Sequence, residues 1–188
     1  LTFKVAVFPL LMGKIVIKKM HLEKPAGILY RDRDGVLNIS DLLESQKTPS
    51  IEVRKIIVSH GAMRFTDHNI IPSGLTINLN DVGLSIHKPI WGRTTDLNLL
   101  AALDQKGKKG TLSINGSIRL SDEDESLAHS SINARVLATG LSMDQYRPYY
   151  AKYLPFRKST GVLNIDAHIK GNARRFRSEG SVAVKNLN

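Results

Sequence analysis

The side chains that most often carry catalysis or bind metals are present in this sequence, but they do not cluster. The chain has no cysteine, which excludes a thiolate metal site, a cysteine nucleophile and a disulfide. The six histidines are isolated, and no two of them have the short spacing of metal ligands on one helix or strand. They are His21, His60, His68, His87, His129 and His168. We therefore predict no metal site.

Two glycine-containing loops resemble ligand-binding motifs without completing them. The run Asp32-Arg33-Asp34-Gly35 matches the centre of a calcium loop, but Tyr30 and Asp41 occupy its first and last ligand positions, so the pattern fails. An Asp-Gly turn explains this run better. The basic segment 106–111 lacks the spacing of a phosphate loop, and there is no Gly-x-Ser-x-Gly elbow. We expect a protein that is not an enzyme and takes no cofactor.

The net charge of +10 comes from basic residues that are scattered along the chain. Nucleic-acid modules usually concentrate such charge on one face or helix. Single basic residues on alternating positions instead indicate solvated outer faces of strands, with a mild attraction to anionic membrane surfaces. We expect no nucleic-acid partner.

Apolar and polar residues alternate along most of the 188 residues. This period of two is typical of strands with one dry and one wet face, as antiparallel sheets allow. The alternation slips by one position at Asn80-Asp81, which predicts a bulge or bend there. We predict a mainly β chain with about ten or more strands.

The dry faces can be buried by a closed sandwich or barrel, or by a sheet curled into a trough, and periodicity alone does not choose between them. In a trough, the dry-face residues would line the groove. The candidates are Leu75, Ile77, Leu79, Leu97, Leu99, Leu112, Ile114, Ile118, Val136, Ile165 and Val182.

Two short segments interrupt the strands. Ser40–Glu44 has a good N-cap residue and spans one turn at most. Ser142–Leu154 has capping-box spacing between Ser142 and Gln145, and Pro148 predicts that the helix proper begins there. Four tyrosines share one face of this second segment: Tyr146, Tyr149, Tyr150 and Tyr153. They would pack on the sheet edge with their hydroxyls in water, or form a lid or membrane contact.

An ordered series of short motifs resembles the AsmA family. Each motif is weak by itself, but their order covers most of the chain. The N-terminal motifs are Pro9-Leu10-Leu11-Met12-Gly13-Lys14-Ile15-Val16-Ile17, Leu22-Glu23-Lys24-Pro25 and the run Arg31-Asp32-Arg33-Asp34-Gly35-Val36-Leu37-Asn38-Ile39-Ser40-Asp41-Leu42-Leu43. The downstream motifs are Gly61 followed by Met63-Arg64-Phe65-Thr66-Asp67, then Asn115-Gly116, Tyr146-Arg147-Pro148-Tyr149 and Gly161-Val162-Leu163-Asn164.

This resemblance implies a long antiparallel sheet curled into an open groove, with one or two short helices. It also implies a periplasmic protein of the Gram-negative envelope, related to the TamB and YhdP group and similar in architecture to bridge-like lipid-transfer proteins. Such a groove would bind phospholipid acyl chains and help move phospholipid between the inner and outer membranes. The alternative is an envelope scaffold that contacts partner proteins and carries no lipid.

We expect residues 1–188 to form a single β-rich module that is a fragment of a larger protein. Residues 1–45 would be the N-terminal AsmA-like region and residues 50–188 the β-groove repeat. The longest uncharged stretch near the start, Val5–Gly13, is far shorter than a spanning helix requires. The resemblance to the AsmA family implies an inner-membrane anchor helix, which we therefore expect to lie outside this sequence.

Overall fold

The computed structural model describes residues 1–6, 15–38, 51–89, 92–105, 107–121, 130–151, 160–172 and 175–186. Within these ranges the chain is mainly β, with eleven strands in a single sheet that does not close on itself, and one helix. The strands are β1 (Thr2–Val5), β2 (Ile15–Glu23), β3 (Ala26–Arg31), β4 (Ile51–Val53), β5 (Lys55–Asp67), β6 (Leu75–His87), β7 (Thr94–Gln105), β8 (Lys108–Arg119), β9 (Ser131–Ser142), β10 (Val162–Asn172) and β11 (Phe176–Lys185), and the helix is α1 (Met143–Tyr150). The open sheet confirms the predicted fold class and excludes the closed sandwich. The other helical segment predicted from the sequence, Ser40–Glu44, lies outside the described residues.

The strand order is β1-β2-β5-β6-β7-β8-β9-β10-β11, with β3 beside β5 and β4 beside β2. All neighbours from β5 to β11 are antiparallel, as predicted, but β2 and β3 run parallel to β5. Both lie along β5 because they are two parts of one extended run, interrupted at Lys24-Pro25. The Lys24 amide donates to the Ser59 carbonyl, and the Ala62 amide donates to the Pro25 carbonyl, each at 2.8 Å.

Residues with positive φ angles form a line from this interruption across β5 to β6, and we call this line the crease. It consists of Lys24, His60 and Asp81, whose φ angles are +50°, +52° and +50°. The pairing of β5 with β6 and of β6 with β7 shifts register here, which confirms the bulge predicted at Asn80-Asp81. The His60 Nδ1 and Asp81 Oδ1 atoms lie 2.6 Å apart across it. Aligned bulges bend a sheet locally and increase its twist.

One face of the sheet from β5 to β11 is apolar, and we call it the inner face. The register places Leu99 opposite Ile114, and Ile114 opposite Val136. The other face carries polar pairs such as Asn98 opposite Asn115. The alternation read from the sequence therefore becomes two surfaces, because most inner-face pairs in these registers join apolar residues.

Glycines on the inner face allow close approach of neighbouring strands. A Cβ on Gly116 would lie 2.3 Å from the Asn133 carbonyl oxygen and 2.4 Å from the Ala134 Cα. A Cβ on Gly180 would lie 2.1 Å from the Asp166 carbonyl oxygen. Glycine at such positions permits the curvature of a sheet, because a side chain would force the strands apart.

The core lies at one end of the inner face, beside α1. It is formed by the buried residues Leu79, Ala101, Leu103, Ala138, Leu141, Met143 and Leu163. Farther along the strands, inner-face residues such as Leu97, Ile114 and Ile118 are only half-buried. The inner face is therefore covered at the α1 end and open beyond it.

Candidate functional site

The candidate site is the inner face itself. The registers bring all eleven predicted lining residues onto this one surface. Leu79 is buried, Val182 on the edge strand is 63% exposed, and the other nine are half-buried. The inner-face positions of β7, β9 and β10 carry no charged side chain.

Several lining residues were not predicted. Ile56 and Val58 on β5 and Phe176 on β11 also face inward, since they pair in register with Ile86, Leu84 and Gly171. The signal for β5 was interrupted by the crease, which resets the alternation in the middle of the strand. For β11 the signal was weak, because Ser178 and Gly180 break the apolar series.

Helix α1 covers the buried end of the inner face. Met143 is 1% exposed, and Tyr146 and Tyr150 pack against the core. The Tyr150 hydroxyl donates to the Met143 carbonyl at 2.8 Å, whereas the buried Tyr146 hydroxyl has no hydrogen-bond partner. The tyrosines therefore do not simply extend their hydroxyls into water at a sheet edge. Tyr153 lies outside the described residues.

The predicted start of this helix was wrong. The helix begins at Met143, so Pro148 lies inside it, and Ser142 is the N-cap residue but makes no side-chain capping bond. An internal proline costs about 3 kcal/mol. Burial of Met143 contributes about 1.5–3 kcal/mol, and the packing of Tyr146 and Tyr150 against the core adds apolar contact that further offsets this cost. Tertiary packing therefore overrides the local preference.

A polar cluster that the sequence did not reveal joins α1 to the end of β5. Asp67, 1% exposed, accepts hydrogen bonds from Arg31 Nε at 3.0 Å and Nη2 at 2.5 Å. The Tyr149 hydroxyl also donates to the Asp67 carboxylate, at 2.9 Å. The backbone amides of Asn69 and Ile70 donate to the same carboxylate, at 3.0 and 3.3 Å.

The pKa values in this cluster fix the roles of its members. Burial acts to raise the pKa of Asp67, but the hydrogen bonds from Arg31 and Tyr149 outweigh it and hold that pKa below its usual value. Burial and the bond to Asp67 raise the pKa of Tyr149 well above its usual value. Asp67 is thus a carboxylate acceptor and Tyr149 a protonated donor at neutral pH.

A second polar contact fixes the junction between β9 and α1. Gln105, 2% exposed, reaches over Gly110, where an added Cβ would lie 2.6 Å from its Nε2. Its Nε2 donates to the Gly140 carbonyl at 2.8 Å, and its Oε1 accepts from the Ser142 amide at 2.6 Å. The strand end from which α1 departs is therefore fixed to β7.

The outer face carries much of the charge, partly as pairs of opposite sign. Arg135 and Asp166 form a two-point ion pair, and Arg177 pairs with Glu179. The hydrogen bonds from Arg135 lower the pKa of Asp166. Two apolar side chains, Leu100 and Leu137, are also exposed on this face.

The described residues bear on two classes of site. In those ranges, no group of three or more histidine or acidic side chains is placed to hold a metal ion. None of the helical segments described has the length and apolar character needed to cross a membrane.

Comparison with known proteins returns no matching family model, no matching curated protein and no matching solved structure.

Proposed function

We propose that this chain is a non-enzymatic periplasmic β-groove module that binds phospholipid acyl chains. In this proposal it helps move phospholipid between the inner and outer membranes and so supports outer-membrane biogenesis, as the resemblance to AsmA-like proteins implies. The observation that carries the proposal is the inner face, which is apolar, continuous across seven strands and open beyond α1.

The energetics of an apolar groove favour lipids with long chains. Each methylene buried contributes about 0.8 kcal/mol, so ten methylenes contribute about 8 kcal/mol. Association costs about 4–15 kcal/mol, which one short chain barely offsets. A diacyl phospholipid offers two chains to the same surface. The inner face at β7, β9 and β10 offers no charged partner for the phospholipid headgroup. The headgroup therefore stays in solvent, and its charges do not have to be desolvated.

The test combines identification of cargo with a matched pair of variants. Native mass spectrometry and lipid extraction of the purified chain should detect bound phospholipid. Ile114→Asp places a charge on the inner face, whereas Asn115→Asp places the same charge on the outer face of the same strand. We expect Ile114→Asp to lose the lipid and retain a cooperative melt by circular dichroism, and Asn115→Asp to keep both.

Two results would contradict the proposal. Equal lipid retention by both variants would show that lipid does not occupy the inner face. Unfolding by Ile114→Asp alone would show that this position belongs to a closed core, because a buried unpaired charge is not tolerated there.

The alternative, a scaffold that contacts proteins through a sheet edge, is favoured by β11. All ten of its residues are exposed, its pairing with β10 has no bulge, and Phe176 is 73% exposed. Long, regular edges tend to pair with other strands, and lysines suppress such pairing. Light scattering over a concentration series should show association that Ala183→Lys abolishes, in preparations free of lipid. A monomer at all concentrations would count against this alternative.

A further inference from the structure

Helix α1 lies on the surface that the proposed function assigns to acyl chains. Its residue Met143 belongs to the same buried cluster as Leu103 and Leu141 at one end of the inner face, and Tyr146 and Tyr150 pack against that cluster. The same apolar surface cannot contact the tyrosines and an acyl chain at once. Whether α1 stays in place therefore decides how much of the groove is open to lipid.

Helix α1 is only weakly stabilised by its own residues. It has only eight residues, it contains Pro148, and it has no side-chain N-cap bond. A helix this short is not stable by itself in water, so its order depends on packing. The covered state also leaves Gln145 Oε1 and the Tyr146 hydroxyl buried without hydrogen-bond partners. Movement of α1 away from the sheet would hydrate both groups, and this partly offsets the loss of apolar contact.

The hydrogen bond from Tyr149 to Asp67 opposes this movement. It joins the helix to the end of β5, whereas the chain attaches α1 directly to β9; β6, β7 and β8 lie between these two strands. When Tyr149 leaves, Asp67 keeps its partners Arg31, Asn69 and Ile70. No buried charge is left unpaired, so the bond can open and close without disrupting β5.

We propose that α1 is a lid over one end of the acyl-chain groove and that Tyr149 with Asp67 and Arg31 forms its latch. This inference rests on the proposed function and adds its regulation. Acyl chains entering the groove displace the tyrosines, and the latch sets the affinity at which they do so. Arg31 is a positioning residue, because it acts on the latch by holding the Asp67 carboxylate.

The test uses the full chain and a phosphatidylcholine with one pyrene-labelled acyl chain as the probe. Tyr149→Phe removes the latch hydroxyl and keeps the ring. Tyr30→Phe is the matched control, because Tyr30 is 45% exposed on β3 and takes no part in the latch. We expect Tyr149→Phe to lower the Kd of the probe by about tenfold to a hundredfold, the factor that one net hydrogen bond to a charged group represents. Tyr30→Phe should leave the Kd unchanged.

Hydrogen exchange of the α1 amides is a second measurement. It reports on the opening of the helix, which lipid affinity alone does not show. In the wild-type chain, the probe should speed exchange at 143–150, and Tyr149→Phe should show faster exchange there without any lipid. Binding of the probe by Tyr149→Phe alone would also support the latch. Wild-type binding with unchanged affinity in Tyr149→Phe and unchanged protection of α1 would overturn the lid and leave the groove function standing. No binding by any variant would overturn both.

Discussion

Replacement of Gly116 by alanine should destabilise the sheet although it adds only one methyl group. The new Cβ would lie 2.3 Å from the Asn133 carbonyl oxygen, 2.4 Å from the Ala134 Cα and 2.6 Å from the Ala134 Cβ. The two nearest atoms belong to the backbone of β9, so no side-chain rotation relieves the contact. Overpacking of this kind costs about 1–3 kcal/mol, and we expect the upper end of that range because a strand has to move.

Gly83→Ala is the matched control for this prediction. Gly83 is also a strand glycine, but the nearest atom to an added Cβ is 4.0 Å away. Alanine is favoured over glycine in a strand interior by about 0.5–1 kcal/mol, so this variant should be neutral or slightly more stable than the wild-type chain.

The assay is thermal and urea unfolding followed by circular dichroism at one protein concentration. For a chain of this size, 1 kcal/mol shifts Tm by roughly 2–4 °C, so a destabilisation of about 3 kcal/mol should make Gly116→Ala melt about 6–12 °C below Gly83→Ala. It should also bind the lipid probe more weakly, because the strands that curve the groove are forced apart. Unfolding free energies for the two variants within 0.5 kcal/mol of each other would refute the reasoning, since the close approach at Gly116 would then carry no constraint.

Three further predictions concern the polar groups around the sheet. Gln105→Leu should lower the unfolding free energy by about 2–4 kcal/mol in urea titrations, because the Gly140 carbonyl and the Ser142 amide lose a buried partner; a change below 0.5 kcal/mol would mean that water replaces the amide. His60→Val should be less stable than His60→Gly by about 1–2 kcal/mol in the same assay, because both lose the imidazole but only valine resists a φ of +52°; equal stabilities would show that the crease relaxes. The pKa of Asp67 is lowered in the folded chain, so its carboxylate stabilises the fold above the ordinary carboxyl pKa, and this stabilisation is lost as the pH falls below about 4. Thermal melts between pH 3 and pH 6 should show a fall in stability at the acid end. A stability that does not change over this range would contradict the prediction.

Much of the fold follows from local pattern. The strands and the inward direction of residues such as Ile114 and Val136 could be predicted because alternation is a property of consecutive residues, and a buried face enforces it. The slip at Asn80-Asp81 predicted a bulge for the same reason. The lining of β5 was harder to predict, because the crease at His60 resets the period inside one strand.

The helix shows where local signals lose to packing. Capping-box spacing and Pro148 predicted a later start, but the Ser142 amide is bonded by the Gln105 side chain and Met143 is buried. Both contacts depend on strands that are distant in sequence. A helix boundary that rests on such contacts is not determined by its own residues.

Amphipathic strands with one apolar face follow from the order of the residues alone, because the hydrophobic effect acts on a pattern of consecutive residues. The open sheet and the position of α1 over one end of it depend instead on contacts between distant parts of the chain. The latch also belongs to this second class: Arg31 and Asp67 are 36 positions apart, and Asp67 and Tyr149 are 82 apart. The first contact depends on the parallel pairing of β3 with β5, and the second on the curvature that brings α1 from the end of β9 to the end of β5; no local pattern specifies either.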